Sequence, residues 1–119
     1  MDLDSALNAH ADWKVKLRAA INARAKLDAE SIARDNCCAL GQWLHGEARR
    51  SLGDSQTLAN AVKRHAEFHC EAGAVARRIN AGQYDRADAM LDAGTPYANA
   101  SMAVGSAIVR LKREVQSAA

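Results

Sequence analysis

Three of the four histidines in this 119-residue chain fall on apolar helical stripes. His10 shares a face with Leu3, Ala6, Trp13, Leu17 and Ala20, positions that alternate by three and four. His65 and His69 stand on a second stripe with Leu58, Val62, Ala72, Ala76 and Ile79. An imidazole in a core needs partners for both ring nitrogens, and a lone one is usually just hydrogen-bonded. Three on apolar faces call for a common explanation. Residues four apart project from one helix face about a turn apart, so His65 and His69 can offer two ring nitrogens to one ion. Such a pair is weak by itself, because the spacing often arises by chance. Cys37 and Cys38 add thiols. On a helix, neighbours point about 100° apart, so only one of the two easily faces a given centre. Three imidazoles and one thiolate complete a tetrahedral shell, and nitrogen–sulfur ligation favours Zn²⁺.

The elements that must position these groups read as helices throughout. The first runs from about Leu3 to Ala23 and loses its stripe at Arg24. Lys26–Ser31 breaks the pattern as a turn. Asp35 or Asn36 is the expected cap of a short second helix carrying Cys37, Cys38, Leu40, Gly41 and Leu44. Asp54 or Ser55 opens a long third helix, and Gly82 is its expected stop. A short fourth helix fits Tyr84–Leu91. Thr95 caps the fifth with Pro96 at its first position, and its face is Tyr97, Ser101, Val104, Ile108, Leu111 and Val115. The expected fold is all-α: an antiparallel four-helix bundle with an additional short helix, spanning residues 1–119 as a single domain. The candidate ligand set then comes from the first, second and third helices.

Composition agrees and excludes several classes. Alanine supplies 27 residues, aromatic residues only 4%, and there is one proline, which suits helices and not sheets. Hydrophobic residues at 49% and charged residues at 25% describe a globular chain. A net charge of +2 is too small to argue for nucleic acid, and the Arg49-Arg50 and Arg77-Arg78 pairs are most simply solvated faces. No apolar run approaches the roughly 18–20 residues of a membrane helix. The start, Met-Asp-Leu-Asp, is acidic where a signal peptide is basic. Three cysteines, an odd number without an export signal, point to a reducing, cytoplasmic setting and not to a disulfide framework.

Three blocks, His10-Ala-Asp-Trp13, Cys38-Ala-Leu40-Gly41-Gln-Trp43 and His65-Ala-Glu-Phe-His69, together resemble one family. Their order and form are similar to the HxxW, CxLGxW and HxxxH pattern of chemoreceptor zinc-binding domains. The resemblance selects Cys38 over Cys37 and implies one zinc held by His10, Cys38, His65 and His69. It also implies a helical bundle that dimerises, attached to a chemoreceptor signalling domain or a diguanylate cyclase, neither of which lies within these residues. The implied function is sensing of zinc, or of oxidants that attack its thiolate, without catalysis.

The other residues receive plainer readings. Trp13 is a packing residue, Trp43 packs between helices or at a subunit contact, and Gly41 permits close helix approach. Cys37 is expected to be a small buried apolar residue and Cys70 to point away from the site. His45 is an exposed residue off the motif, and Asp12 and Glu67 are solvated charges more than partners of ligand N–H groups. A competing function is a zinc-dependent hydrolytic enzyme with an open three-histidine site and Cys38 unbound. A di-iron bundle fits poorly, since Glu67 is two residues from both His65 and His69 and faces elsewhere. A metal-free interaction bundle is the remaining alternative.

Overall fold

Capping side chains open several of the helices of this chain. The computed structural model describes residues 1–118, and among them there is no strand. Eight helices follow one another: α1 (Leu3–Ala11), α2 (Trp13–Ala23), α3 (Ala29–Ala33), α4 (Ala39–His45), α5 (Glu47–Leu52), α6 (Gln56–Asn80), α7 (Tyr84–Ala89) and α8 (Pro96–Ala118). The chain is all-α, with two of the expected helices subdivided. α1 and α2 meet at Asp12, which keeps right-handed helical dihedrals, so the His10 stripe continues with little change of direction. α2 stops at Arg24, which adopts a left-handed φ of 53° where the apolar stripe runs out.

Two local differences shape the site. Lys26–Ser31 contains a turn, but it also starts α3: Asp28 caps it, its Oδ1 accepting the Ser31 N–H at 3.2 Å. The second expected helix begins later than Asp35 or Asn36 suggests. Cys38 is itself the N-cap of α4, in extended backbone, and its Sγ accepts the Gly41 N–H at 3.3 Å. Both neighbouring cysteines therefore precede the helix. Gly46 then separates α4 from α5.

The long elements behave as their caps dictate. Ser55 Oγ accepts the Leu58 N–H at the start of α6, and Gly82 takes up a left-handed φ of 79° just past its end. Thr95 Oγ1 accepts the Ala98 N–H at the start of α8. α6 packs most extensively on α8 and next on α3. The α6–α8 pair is antiparallel, since Ser55 at one end of α6 donates to Glu114 near the far end of α8 at 2.6 Å. α1 also runs against α8, with Lys112 Nζ donating to Asp4 Oδ1 at 2.8 Å. The core between them holds Leu17, Phe68, Val75, Ile79, Leu91, Val104 and Leu111. No helix among the described residues is long and apolar enough to cross a membrane.

Candidate metal centre

α1, the start of α4, and α6 bring four side chains to one point. His10, Cys38, His65 and His69 place one donor atom each within 4.8 Å of all the others. The histidines are buried, at 5%, 0% and 2% exposure for His10, His65 and His69. His65 Nε2 lies 3.1 Å from His10 Nε2 and 3.1 Å from His69 Nε2, and His10 Nε2 lies 3.4 Å from His69 Nε2. Cys38 Sγ stands 3.2 Å from His65 Nε2 and 3.6 Å from His69 Nε2. A tetrahedron with ordinary Zn–N and Zn–S bonds has edges of about 3.3 Å between nitrogens and about 3.5 Å between sulfur and nitrogen. Five of the six donor–donor distances, from 3.1 to 3.6 Å, already stand near that spacing.

Ring orientation comes from backbone carbonyls. His10 Nδ1–H donates to Ala6 O, one turn back in α1, at 2.7 Å. His69 Nδ1–H donates to Ile32 O at 2.9 Å. That carbonyl lies in the last turn of α3, where no helical N–H remains to take it. Both bonds put the proton on Nδ1 and leave Nε2 as a lone pair facing inward. Two such lone pairs 3.4 Å apart have no proton to share, so the donor set fits a cation between them. His65 Nδ1 is buried without a partner. Phe68, wholly buried, sets its ring edge-on to His10 and His69, at centroid distances of 5.4 and 5.5 Å.

The electrostatics favour neutral rings. Burial pushes His65 down to about 3 and lowers His10 and His69 as well. Burial raises the Cys38 thiol, opposed by its bond from the Gly41 N–H. Neutral imidazoles are the form that binds metal, and a metal ion at this point supplies the charge that holds the thiol as thiolate.

Several sequence readings meet the structure differently. Cys37 is exposed, not a buried apolar residue, because it sits in the loop before α4. Gly41 does permit close approach, but to the loop and not to another helix: a Cβ there would overlap the Asp35 carbonyl. His45 is exposed and paired with Asp35, its Nε2 to Oδ2 distance being 2.8 Å. Cys70 is exposed and lies away from the centre. Asp12 is exposed, and Glu67 pairs with Arg64 at 3.1 Å, so neither supports a ligand ring. Trp13 is half-buried against the core. It also lines a cavity of about 190 Å³ that Ser31, Ile32, Cys37, Cys38 and His69 complete. The carbonyls of Ala6 and Ile32 carry no side-chain signal, so no residue pattern could have revealed them.

The family model described as the chemoreceptor zinc-binding domain matches residues 10–76, which include all four converging side chains. No curated protein and no solved structure matches the chain. The model covers more than half of the sequence, and the centre it spans is shaped for zinc: this chain belongs to the chemoreceptor zinc-binding domain family.

Proposed function

We propose that His10, Cys38, His65 and His69 are the ligands of a single zinc ion and that the chain is a sensory module rather than an enzyme. The carrying observation is the convergence of four donor atoms within 4.8 Å of one another, with the outer nitrogens of His10 and His69 already committed to backbone carbonyls. Zinc held there stabilises the Cys38 thiolate and ties α1, α4 and α6 to one point. Cys38 Sγ, at 3.2 Å from His65 Nε2, supports a closed shell with no open position for substrate. It thereby argues against the open three-histidine hydrolytic site. In this reading residues 1–119 act as one helical domain.

Cys38 is the oxidisable member of the set and the sole ligand contributed from outside a helix body. Its loss as a ligand frees the start of α4 from α1 and α6. A signal of that kind passes to attached elements only insofar as zinc binds the two packings with different affinity. We assign the module to a cytoplasmic, dimeric signalling protein of the chemoreceptor or diguanylate cyclase kind, responding to zinc or to oxidation at Cys38.

The test is metal content and zinc affinity of the wild type beside Cys38→Ala. One zinc per chain in the wild type and markedly weaker binding in Cys38→Ala are expected. Equal affinity in the two proteins would favour the open site, and no bound zinc in either would leave a metal-free bundle.

A further inference from the structure

The two neighbouring thiols are placed unequally about one cavity. Cys38 is half-buried, with its Sγ against His65 and His69. Cys37 is exposed, and its thiol has only a weak 3.6 Å contact to its neighbour's Asn36 Oδ1. Both line the same cavity, of about 190 Å³, beside Trp13 and His69. Neither lies within a helix, since α3 ends at Ala33 and α4 starts at Ala39. The peptide between them is therefore free of helical hydrogen bonds that a rotation would break. Cys70 is not placed to take part. It follows His69 on α6, off the ligand face, and lines a different groove with Arg64, Glu67 and Glu71.

We propose that Cys37 is the resolving thiol of Cys38, forming a disulfide between adjacent residues after Cys38 is oxidised by a hydroperoxide. The proposal rests on the reading of Cys38 as a zinc thiolate open to oxidants. In the first step the Cys38 thiolate attacks hydrogen peroxide: the S–O bond forms, the O–O bond breaks and hydroxide leaves, giving the sulfenic acid. In the second step the Cys37 sulfur attacks the Cys38 sulfur. The S–S bond forms, the S–O bond breaks, and the departing hydroxide leaves as water with the Cys37 proton. Two electrons pass from the thiol pair to peroxide. The disulfide sulfur carries no thiolate charge, so Cys38 is lost as a ligand.

Adjacency decides how this bond behaves. Consecutive Cα atoms stand about 3.8 Å apart, short of the roughly 4.4–6.8 Å that disulfides prefer. A bridge between neighbours is thus strained, and strained bridges are the readily reduced, regulatory ones. Two equivalents of a small thiol reduce it, becoming a disulfide themselves and restoring both cysteines. Without Cys37 the sulfenic acid proceeds to sulfinic acid, which thiols do not reverse. Cys37 makes the response of the centre reversible.

The experiment treats the zinc-loaded full chain with hydrogen peroxide in the wild type, Cys37→Ser and Cys70→Ser. Zinc release is followed with a chelating dye, the cysteines are mapped by mass spectrometry after alkylation, and zinc binding is measured again after a thiol reductant. The wild type and Cys70→Ser are expected to release zinc, to show the Cys37–Cys38 bridge and to recover binding. Cys37→Ser is expected to release zinc as the wild type does, to accumulate Cys38 sulfinic acid and to lose recovery. Zinc release without the bridge in the wild type, or full recovery in Cys37→Ser, overturns the proposal while leaving the redox reading of Cys38 intact. Retention of zinc with both thiols still free overturns that reading and the proposal together.

Discussion

Two inward-facing Nε2 lone pairs on buried rings repel each other, and the carbonyls of Ala6 and Ile32 hold the His10 and His69 rings in that arrangement. A cation relieves this, so each ring removed should weaken zinc binding severely. His10→Ala, His65→Ala and His69→Ala are each expected to lower affinity by more than the roughly 10- to 100-fold that loss of a ligand's supporting partner costs. Competition against a chromophoric chelator measures this, and unchanged affinity in all three variants would refute the ligand set. Proton linkage gives a second expectation. His10, His65 and His69 all have folded-state values below the ordinary 6.5, His65 at about 3, because burial disfavours the charged ring. Below about 6.5 the unfolded chain therefore binds protons that the folded chain refuses. Stability of the metal-free protein is full above that value and falls as pH drops from there toward 3. Urea midpoints taken from pH 7 to pH 4 should decline steadily, and a flat profile would mean that the rings are not neutral in the fold. Zinc binding should release the Cys38 proton, since burial keeps that thiol protonated without metal, and should weaken as pH falls.

Helix starts govern how Cys38 is presented. As the N-cap of α4 its sulfur takes the Gly41 N–H, so the side chain is aimed by the same bond that opens the helix. Gly41 is needed because the Asp35 carbonyl occupies the space a Cβ would take. Gly41→Ala must push the 35–36 loop off α4, with a cost of about 1–3 kcal/mol as for other overpacked sites, and zinc affinity should fall with it. Gly105 in α8 is the contrasting case. A Cβ there meets only Leu7 Cδ1 at 3.7 Å, an ordinary contact. Gly105→Ala should therefore raise stability by about 0.5–1 kcal/mol through helix propensity and leave zinc binding alone. Chemical denaturation of the two variants tests both signs, and equal effects would contradict the difference in their surroundings.

At the scale of the molecule, most of the core lies beyond the metal centre. Val75, Ile79, Leu91, Val104 and Leu111 are buried and are not among the four converging side chains. Removal of zinc should accordingly loosen α1, α4 and α6 about the centre while far-UV circular dichroism stays strongly helical. Collapse of the helical signal on chelation would show that the core does not stand alone. Binding to the folded state alone stabilises by RT ln(1 + [L]/Kd), about 2.7 kcal/mol at a hundredfold excess over Kd. Melting temperature should climb with free zinc on that logarithmic scale, and Cys38→Ala should shift the same curve to higher zinc.

The long helices and the three stripe histidines were legible in the sequence because their causes are local, whereas Cys38 was singled out from Cys37 only by the family resemblance. Apolar residues at three-and-four spacing dictate a face, Ser55 and Thr95 cap with their own hydroxyls, and His65 and His69 share a turn of α6. Other features depend on segments far apart in the chain meeting in space. Ile32 O becomes the anchor of His69 only because α3 docks on α6, 37 residues away along the chain. α4 starts at Ala39, and Cys37 is left exposed, where the 35–36 loop comes up against Gly41. Residue spacing could bring Cys38 to the site as one of two neighbours. Only the tertiary packing decided that Cys37 remains in the loop beside it, because a cap competes with every other contact its loop makes, and that competition is settled in three dimensions.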